Sequence, residues 1–228
     1  MNGCQAQSER AVPVVTVDGP AASGKGTLAA GLAQALGFHL LDSGVFYRML
    51  GWKALQSGVG LERVVALVNL AAELTPQFRG EEIWLDGENI SLSLRRQEVG
   101  TAASKVAVLP EVRLALLRLQ RLARRLPGLV ADGRDMGTVV FPDATCKFFL
   151  TASVETRAER RHKQLIEKGL SSTISLLLQE ISERDARDES REAAPLKPAA
   201  DALIIDTTLI AAADVLALAL RHCRQCLA

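Results

Sequence analysis

Gly19-Pro-Ala-Ala-Ser-Gly-Lys-Gly-Thr27 follows the apolar run Val12-Pro-Val-Val-Thr-Val17 and opens an amphipathic stretch, so the local order is strand, glycine loop, helix. Glycines at 19, 24 and 26 let the backbone curl until consecutive N–H groups point inward at a polyphosphate, and the positive end of the helix dipole adds to that field. Lys25 brings a point charge for the outer phosphates, and Thr27 brings the hydroxyl that such a loop uses on magnesium. Gly26 replaces the usual Ser/Thr after the lysine, so the string is a Walker A variant. Gly19, Pro20, Ala21, Ala22, Ser23, Gly24, Lys25, Gly26 and Thr27 are the candidate nucleotide-binding residues.

A chain of 228 residues, 48% hydrophobic, can bury one substantial core, or a core carrying an insert. Its 27 Lys and Arg stand against 26 Asp and Glu, which removes the global basic field that non-specific nucleic-acid binding needs. Any anion site must therefore be local, and no nucleic-acid partner is expected. The polar start, Met1 to Arg10, lacks an apolar signal core, and no run of about 18 or more uncharged apolar residues follows. A cytoplasmic protein without membrane contact is expected. Of the four cysteines, at 4, 146, 223 and 226, only the last two are close in sequence, and they share one helix with His222. One Cys-x-x-Cys is half a structural zinc site, so the pair reads as two thiols of a reduced compartment.

Along the chain, Leu28, Leu32, Ala35 and Leu36 form one helical face that ends at Gly37. Phe38-His-Leu-Leu41 reads as a second strand, stopping at Asp42-Ser-Gly44, a turn expected to cap a helix through Leu50. Strand ends of an α/β sheet are where ligands sit, so Asp42, Ser43 and Arg48 are candidates there. A helical pattern covers Gly60 to Leu74. Pro76-Gln-Phe-Arg79, Ile83-Trp-Leu85 and Glu88-Asn-Ile90 then alternate around the hairpin signal Asp86-Gly87, which indicates an antiparallel insert. From Pro110, an apolar stripe of Val112, Leu116, Leu119, Ala123 and Leu126 predicts a helix toward Pro127, with Arg113 off the stripe. Leu129-Val-Ala131, Thr145-Cys-Lys-Phe-Phe-Leu150 and Ala202-Leu-Ile-Ile205 are three more strands. A last helix is expected from Leu209 to Cys226. Strands alternating with helices imply a parallel sheet wrapped on both faces.

Between Glu155 and Arg191 the chain carries Arg157, Arg160, Arg161, Lys163, Lys168, Arg184, Arg187 and Arg191. Singly these suit a solvated helix face. As a set they suit a cover that excludes water and stabilises a migrating phosphoryl group.

Four strings together resemble the bacterial cytidylate kinases: the loop 19–27; Leu41-Asp-Ser-Gly44 with Tyr47-Arg48; Ala131-Asp-Gly-Arg-Asp-Met-Gly-Thr138; and Ala194-Pro-Leu196. The match runs over nearly the whole chain from Val14. The resemblance implies an α/β P-loop kinase with a five-stranded parallel sheet wrapped by helices, an inserted small antiparallel-sheet monophosphate-binding region and a short lid. It implies a polar tail over 1–12, a core over 13–60 and 105–228, an insert over 61–104 and an arginine-rich lid over 157–191. The implied reaction is ATP-dependent phosphorylation of CMP and dCMP with Mg2+; a monomer is the default expectation. Carried over residue by residue, the loop binds ATP, and Arg48, Arg134 and Arg191 hold acceptor or transferred phosphate. Ser104, Arg113 and Asp135 read cytosine, with Ser43 also at the substrate, while Arg184 and Asp188 reach the pentose region. Lys25, Arg134, Arg184 and Arg191 carry catalysis, Thr27 meets the metal, and Asp132 organises the metal's water shell. The loop interior Ala21-Ala-Ser23 departs from the family's usual Ser-Gly-Ala. The acceptor phosphate is already anionic, so no general base is required.

A small-molecule P-loop kinase for a sugar or hydroxy acid would share the glycine loop and the lid, with less reason for Arg113 and Asp135 to face a base edge. A nucleotide-binding module without turnover would keep the arginines. A GTPase would need an Asn-Lys-x-Asp string, which the chain lacks.

The dense charge from Arg157 to Arg191, with Gly169 and Ser171-Ser172 as a break, generates a first prediction. Amide exchange over residues 160 to 191 should slow when CMP and an unreactive ATP analogue are added together, because closure buries these groups. Unchanged exchange would count against a moving cover.

Overall fold

The computed structural model describes residues 12–80, 82–167, 169 and 171–227. The polar tail expected over residues 1–12 thus lies outside the described residues but for Val12, as does Cys4. The chain opens with β1 (Val14–Asp18), α1 (Lys25–Leu36), β2 (His39–Asp42) and α2 (Gly44–Gln56). Next come α3 (Val64–Ala72), β3 (Gln77–Arg79), β4 (Glu82–Leu85), β5 (Glu88–Asn89), a 3-10 turn (Ser93–Arg95), α4 (Gln97–Val106) and α5 (Pro110–Arg121). The second half holds β6 (Leu129–Gly133), a π-helical turn (Met136–Val140), β7 (Cys146–Thr151), α6 (Val154–Ile166), α7 (Ile174–Glu189), β8 (Leu203–Asp206) and α8 (Ala212–Cys226).

Five strands form a parallel sheet in the order β2-β6-β1-β7-β8, and β3-β4-β5 form a small antiparallel sheet. Every residue of β1 and β6 is buried, as strands covered on both faces must be, whereas the outer strands β2 and β8 alternate. One face packs Phe46, Leu50, Val112, Leu116 and Met136 under α2 to α5. The other packs Leu28, Leu32, Phe148, Val215 and Ala219 under α1 and α8. In the small sheet, Asp86 and Gly87 both take positive φ, at 51° and 83°, the conformation of the two-residue hairpin that their sequence signalled.

The register decides where chemistry can happen. Asp18 lies opposite Gly133 and Asp42 opposite Asp132, so three strands end together at one carboxyl edge of the sheet. There the chain leaves β1 on one side and β6 on the other, the crevice in which open α/β sheets bind ligands.

Several element ends differ from the sequence pattern. α3 begins only at Val64, because residues 60–63 form a turn closed by Arg63 N to Gly60 O at 3.0 Å. α5 stops at Arg121 instead of continuing to Pro127. Beyond it Arg124 Nε donates to Val12 O at 2.8 Å and Nη1 to Asp143 at 2.6 Å, so the segment is drawn to the start of β1 and its leucines are left in water. α8 starts at Ala212, since Leu209 is 94% exposed and packs on nothing that would extend the helix. Ser43 sits at the N-terminus of α2 without a side-chain cap; Asp42 Oδ1 accepts from Gly44 N at 2.9 Å instead. Ser153 does cap α6, accepting from Thr156 N at 3.2 Å.

Candidate active site

The glycine loop is held by close packing as much as by flexibility. A Cβ at Gly19, where φ is 152°, would lie 2.3 Å from Leu150 O, so the loop leaves β1 hard against β7. Gly24 takes the left-handed conformation at φ 90° and leads into α1 without a side-chain cap, so the first helical N–H groups point outward for an anion. Two arginines of α6 grip this loop from behind. Arg157 Nη1 donates to Ala21 O at 3.3 Å, and Arg160 Nη1 donates to Thr207 Oγ1 at 3.0 Å, whose hydroxyl donates to Ser23 O at 2.9 Å. Ala21 and Ser23 are thereby held through their backbone carbonyls, and the Ser23 side chain is buried.

Lys25 Nζ donates to Pro20 O at 3.3 Å and lies 4.0 Å from Asp132 Oδ1. Burial, and then the nearby Arg134, hold its ammonium down at about 8, while Asp132 works in the opposite sense. The Asp132 carboxyl is pushed up to about 6 by burial, against the pull of Lys25. Its Oδ1 is buried without a hydrogen-bond partner. The same carboxylate accounts for the residue after the lysine: a Cβ at Gly26 would come within 3.2 Å of Asp132 Oδ2. Thr27 is exposed one residue on. An exposed hydroxyl and a buried carboxylate oxygen without a partner are oxygen donors of the kind that suits a hard, hydrated cation such as Mg2+.

Opposite the loop stands a wall of arginines around Asp188 of α7, which is 1% exposed. Its Oδ2 accepts from Arg134 Nε at 2.9 Å, and its Oδ1 pairs with Arg191. Burial acts to raise this carboxyl, but Arg134, Arg191 and Arg184 together hold it below the ordinary carboxylate range. Burial, followed by Arg134, lowers Arg184 to about 10. Arg48 Nη1 donates to Leu94 O at 2.8 Å, and burial lowers this guanidinium too. The buried Nε atoms of Arg184 and Arg191 have no acceptor. Cations this crowded, with donors unspent, leave the crevice short of negative charge.

Beside the wall, a cleft of about 180 Å³ is lined by Tyr47, Arg113, Gln120, Asp135 and Ala194. Arg113, expected off the apolar stripe of α5, is instead buried. It pairs with Asp135, donates through Nη1 to Ala107 O at 3.1 Å and lies over the Tyr47 ring at 5.6 Å. Burial pushes the Tyr47 phenol up. Ser104 Oγ accepts from Arg187 Nη1 at 3.1 Å. Ser43 is buried where β2 meets β6, its N–H donating to Asp132 O at 3.0 Å.

The structure thus gathers Lys25, Arg134, Arg184, Asp188 and Arg191 into one cluster with Asp132, and Arg113 with Asp135 into a second. Ser104 belongs to neither cluster directly; its contact is Arg187. Asp18 was missed. Its two oxygens accept from Met136 N and Gly137 N at 2.8 Å each, tying the π-helical turn to the end of β1. Burial raises its carboxyl to about 7, against those two bonds. The available signal was an acid closing an otherwise apolar strand just before a glycine loop. Arg157 and Arg160, read from the sequence with the arginine-rich cover, instead brace the loop from α6, and Thr207 had no local signal.

A family model described as Cytidylate kinase matches residues 15–225. A cytidylate kinase of Klebsiella pneumoniae (strain 342) is 54% identical over 221 residues, covering 95% of this chain and 97% of the relative. One from Burkholderia ambifaria (strain MC40-6) is 56% identical over 198 residues, 87% of each chain. Among solved structures, an uncharacterized protein from Eubacterium ventriosum ATCC 27560 matches with a TM-score of 0.51 at 9% identity, covering 93% of this chain and 98% of that one, a likeness of fold alone.

The depressed ammonium of Lys25 has a measurable consequence. Free protein loses this proton above a pH of about 8, and a polyphosphate beside the amine favours the charged form. ATP binding at about pH 9 should therefore take up protons, and at about pH 7, where the ammonium is already formed, the uptake should fade. Calorimetry in two buffers of different ionisation enthalpy reads this directly, with Lys25→Met losing the difference. Proton-neutral binding at both pH values would show that Lys25 does not meet the phosphates.

Proposed function

This chain belongs to the cytidylate kinase family, and from that premise we propose that it transfers the terminal phosphoryl group of ATP to CMP and dCMP, by in-line attack of the acceptor phosphate, yielding the diphosphates. The observation that carries the reading is the adjacency of two clusters. A cationic wall around Asp188 stands beside a cleft holding a buried Arg113–Asp135 pair, with the glycine loop opposite the wall.

The loop 19–27 wraps the phosphates of ATP with its backbone N–H groups, and Lys25 follows the charge as it moves to the leaving oxygen. Arg48, Arg134 and Arg191 orient the acceptor phosphate and the group in flight. Arg184, with an unspent donor, adds charge from α7, and Asp188 keeps Arg134 and Arg191 together in place until phosphate arrives. Thr27 and Asp132 would hold Mg2+, which supplies neutralisation of charge across the donor phosphates. Nothing in this scheme needs a protein base, because the nucleophile is an anionic oxygen at neutral pH. Arg157 and Arg160 are braces for the loop, and α7, within the lid expected over 157–191, is the part that closes over the site. Among the described residues no helix is long and apolar enough to cross a membrane, and the working unit we propose is a monomer acting on small nucleotides in the cytoplasm.

Cytosine offers an N4 amino donor beside the N3 and O2 acceptors, and uracil inverts the first two. Asp135 accepts from N4 and Arg113 donates to N3 or O2. Against uracil, a carboxylate faces a carbonyl oxygen and a guanidinium faces an N–H, leaving buried charges unpaired. Sites built on such bonds can discriminate by about four orders of magnitude. In a coupled ADP-release assay, CMP should therefore exceed UMP by at least about a hundredfold in kcat/KM. AMP and GMP should be poor acceptors, because the cleft fits one ring. Asp135→Asn, whose amide can present either an oxygen or an N–H, should narrow the CMP to UMP ratio. Equal losses on both nucleotides would remove the base-reading role, and no ADP release with CMP would remove the kinase.

A further inference from the structure

At the opposite edge of the sheet from the glycine loop, the first residue of β7 meets the last turn of α8. Cys146, partnered in the sheet with Val15 near the start of β1, points a buried thiol at that turn. His222 and Cys226 lie four residues apart on α8 and therefore on one helical face. One ligand atom each from Cys146, His222 and Cys226 fall within 4.8 Å of one another. A fourth donor is at hand: Cys223 Sγ is 3.7 Å from Cys146 Sγ. The sequence showed only the helical pair, because Cys146 is 77 residues from Cys223.

We propose that Cys146, His222 and Cys226 bind one soft divalent cation, zinc by preference, with Cys223 available to complete a Cys3His tetrahedron that clamps α8 to the sheet.

Zinc–sulfur bonds of about 2.3 Å set a sulfur–sulfur edge of about 3.8 Å in a tetrahedron, so the Cys146 to Cys223 spacing already has the required length. Cys226 and His222 lie on the partly exposed side, which gives the cation its way in. The His222 ring is oriented before any cation binds: it sits edge-on to Phe148, centroids 5.5 Å apart, and Phe148 shares a face of β7 with Cys146. Three sulfurs and an imidazole select zinc over magnesium, whose preference is oxygen. The clamp is thus chemically separate from any Mg2+ at the phosphate crevice, and it does not depend on the kinase assignment.

The test uses the whole reduced, metal-free protein and Co2+ as a spectroscopic stand-in for zinc. One equivalent should produce sulfur-to-cobalt charge-transfer absorption, which zinc should abolish stoichiometrically and excess Mg2+ should leave untouched. Saturating zinc should also raise the melting temperature by several degrees. Cys226→Ser, at a partly exposed position, should weaken cobalt binding at least about tenfold, since even the loss of a partner that only orients a ligand costs on that scale. Absence of the charge-transfer band at micromolar cobalt, or an unchanged affinity in Cys226→Ser, would overturn the clamp.

Discussion

Asp188 accepts from Arg134 Nε at 2.9 Å and pairs on its other oxygen with Arg191, and this one buried carboxylate keeps the crevice assembled before any phosphate arrives. Without it, Arg134, Arg184 and Arg191 would repel one another in a medium that screens poorly. With it, compensation is partial. Arg184 is still held down at about 10 and Lys25 at about 8, the signature of cations that burial and their neighbours oppose. A site in this condition gains most from a ligand that brings negative charge and acceptor oxygens, and phosphoryl transfer brings both. In the proposed mechanism, recognition and catalysis draw on this same electrostatic deficit, a mechanism of placement rather than of proton transfer.

The scaffold makes this deficit directional. Parallel strands of matched register bring Asp18, Asp42 and Asp132 to one edge, and each acid does something different there. Asp42 closes the turn into α2. Asp132 faces Lys25 and crowds Gly26. Asp18 takes two backbone N–H groups of the π-helical turn, so the segment that follows Asp135 is locked to the strand that precedes the glycine loop. The distance between Asp135 and the glycine loop is therefore set by one side chain that ties the turn after β6 to the end of β1.

The glycine loop was legible in the sequence because its chemistry is a backbone requirement, and glycine placement states it openly. The parallel sheet was legible for a similar reason: buried strands read as apolar runs. The burial of Arg113 was not, because periodicity assigns a charge to the outside and cannot register a partner such as Asp135, 22 residues away; only the family resemblance had set the two side by side. Arg157 and Arg184 share one residue type within one charged segment, yet the first braces the loop backbone and the second keeps a buried donor unspent. Only packing separates those roles. Gly26 was recognised as a departure from the usual string, but its cause, the Asp132 carboxylate 3.2 Å from where a Cβ would sit, lies on another strand. Helix ends were misjudged where tertiary bonds intervened, as at Arg124, whose guanidinium pulls the chain away from the end of α5.

If the unsatisfied cationic wall is what recognises substrate, the phosphate rather than the nucleoside must supply most of the affinity. Calorimetric titration of CMP and of cytidine into the free protein compares the two directly. Two charge-assisted hydrogen bonds, at about 1.5 to 3 kcal/mol each, place CMP at least about a hundredfold tighter than cytidine, with the gap shrinking as salt rises. Cytidine binding as tightly as CMP would contradict the account, because it would mean that the base cleft alone holds the substrate and that the arginines around Asp188 do not meet the phosphate.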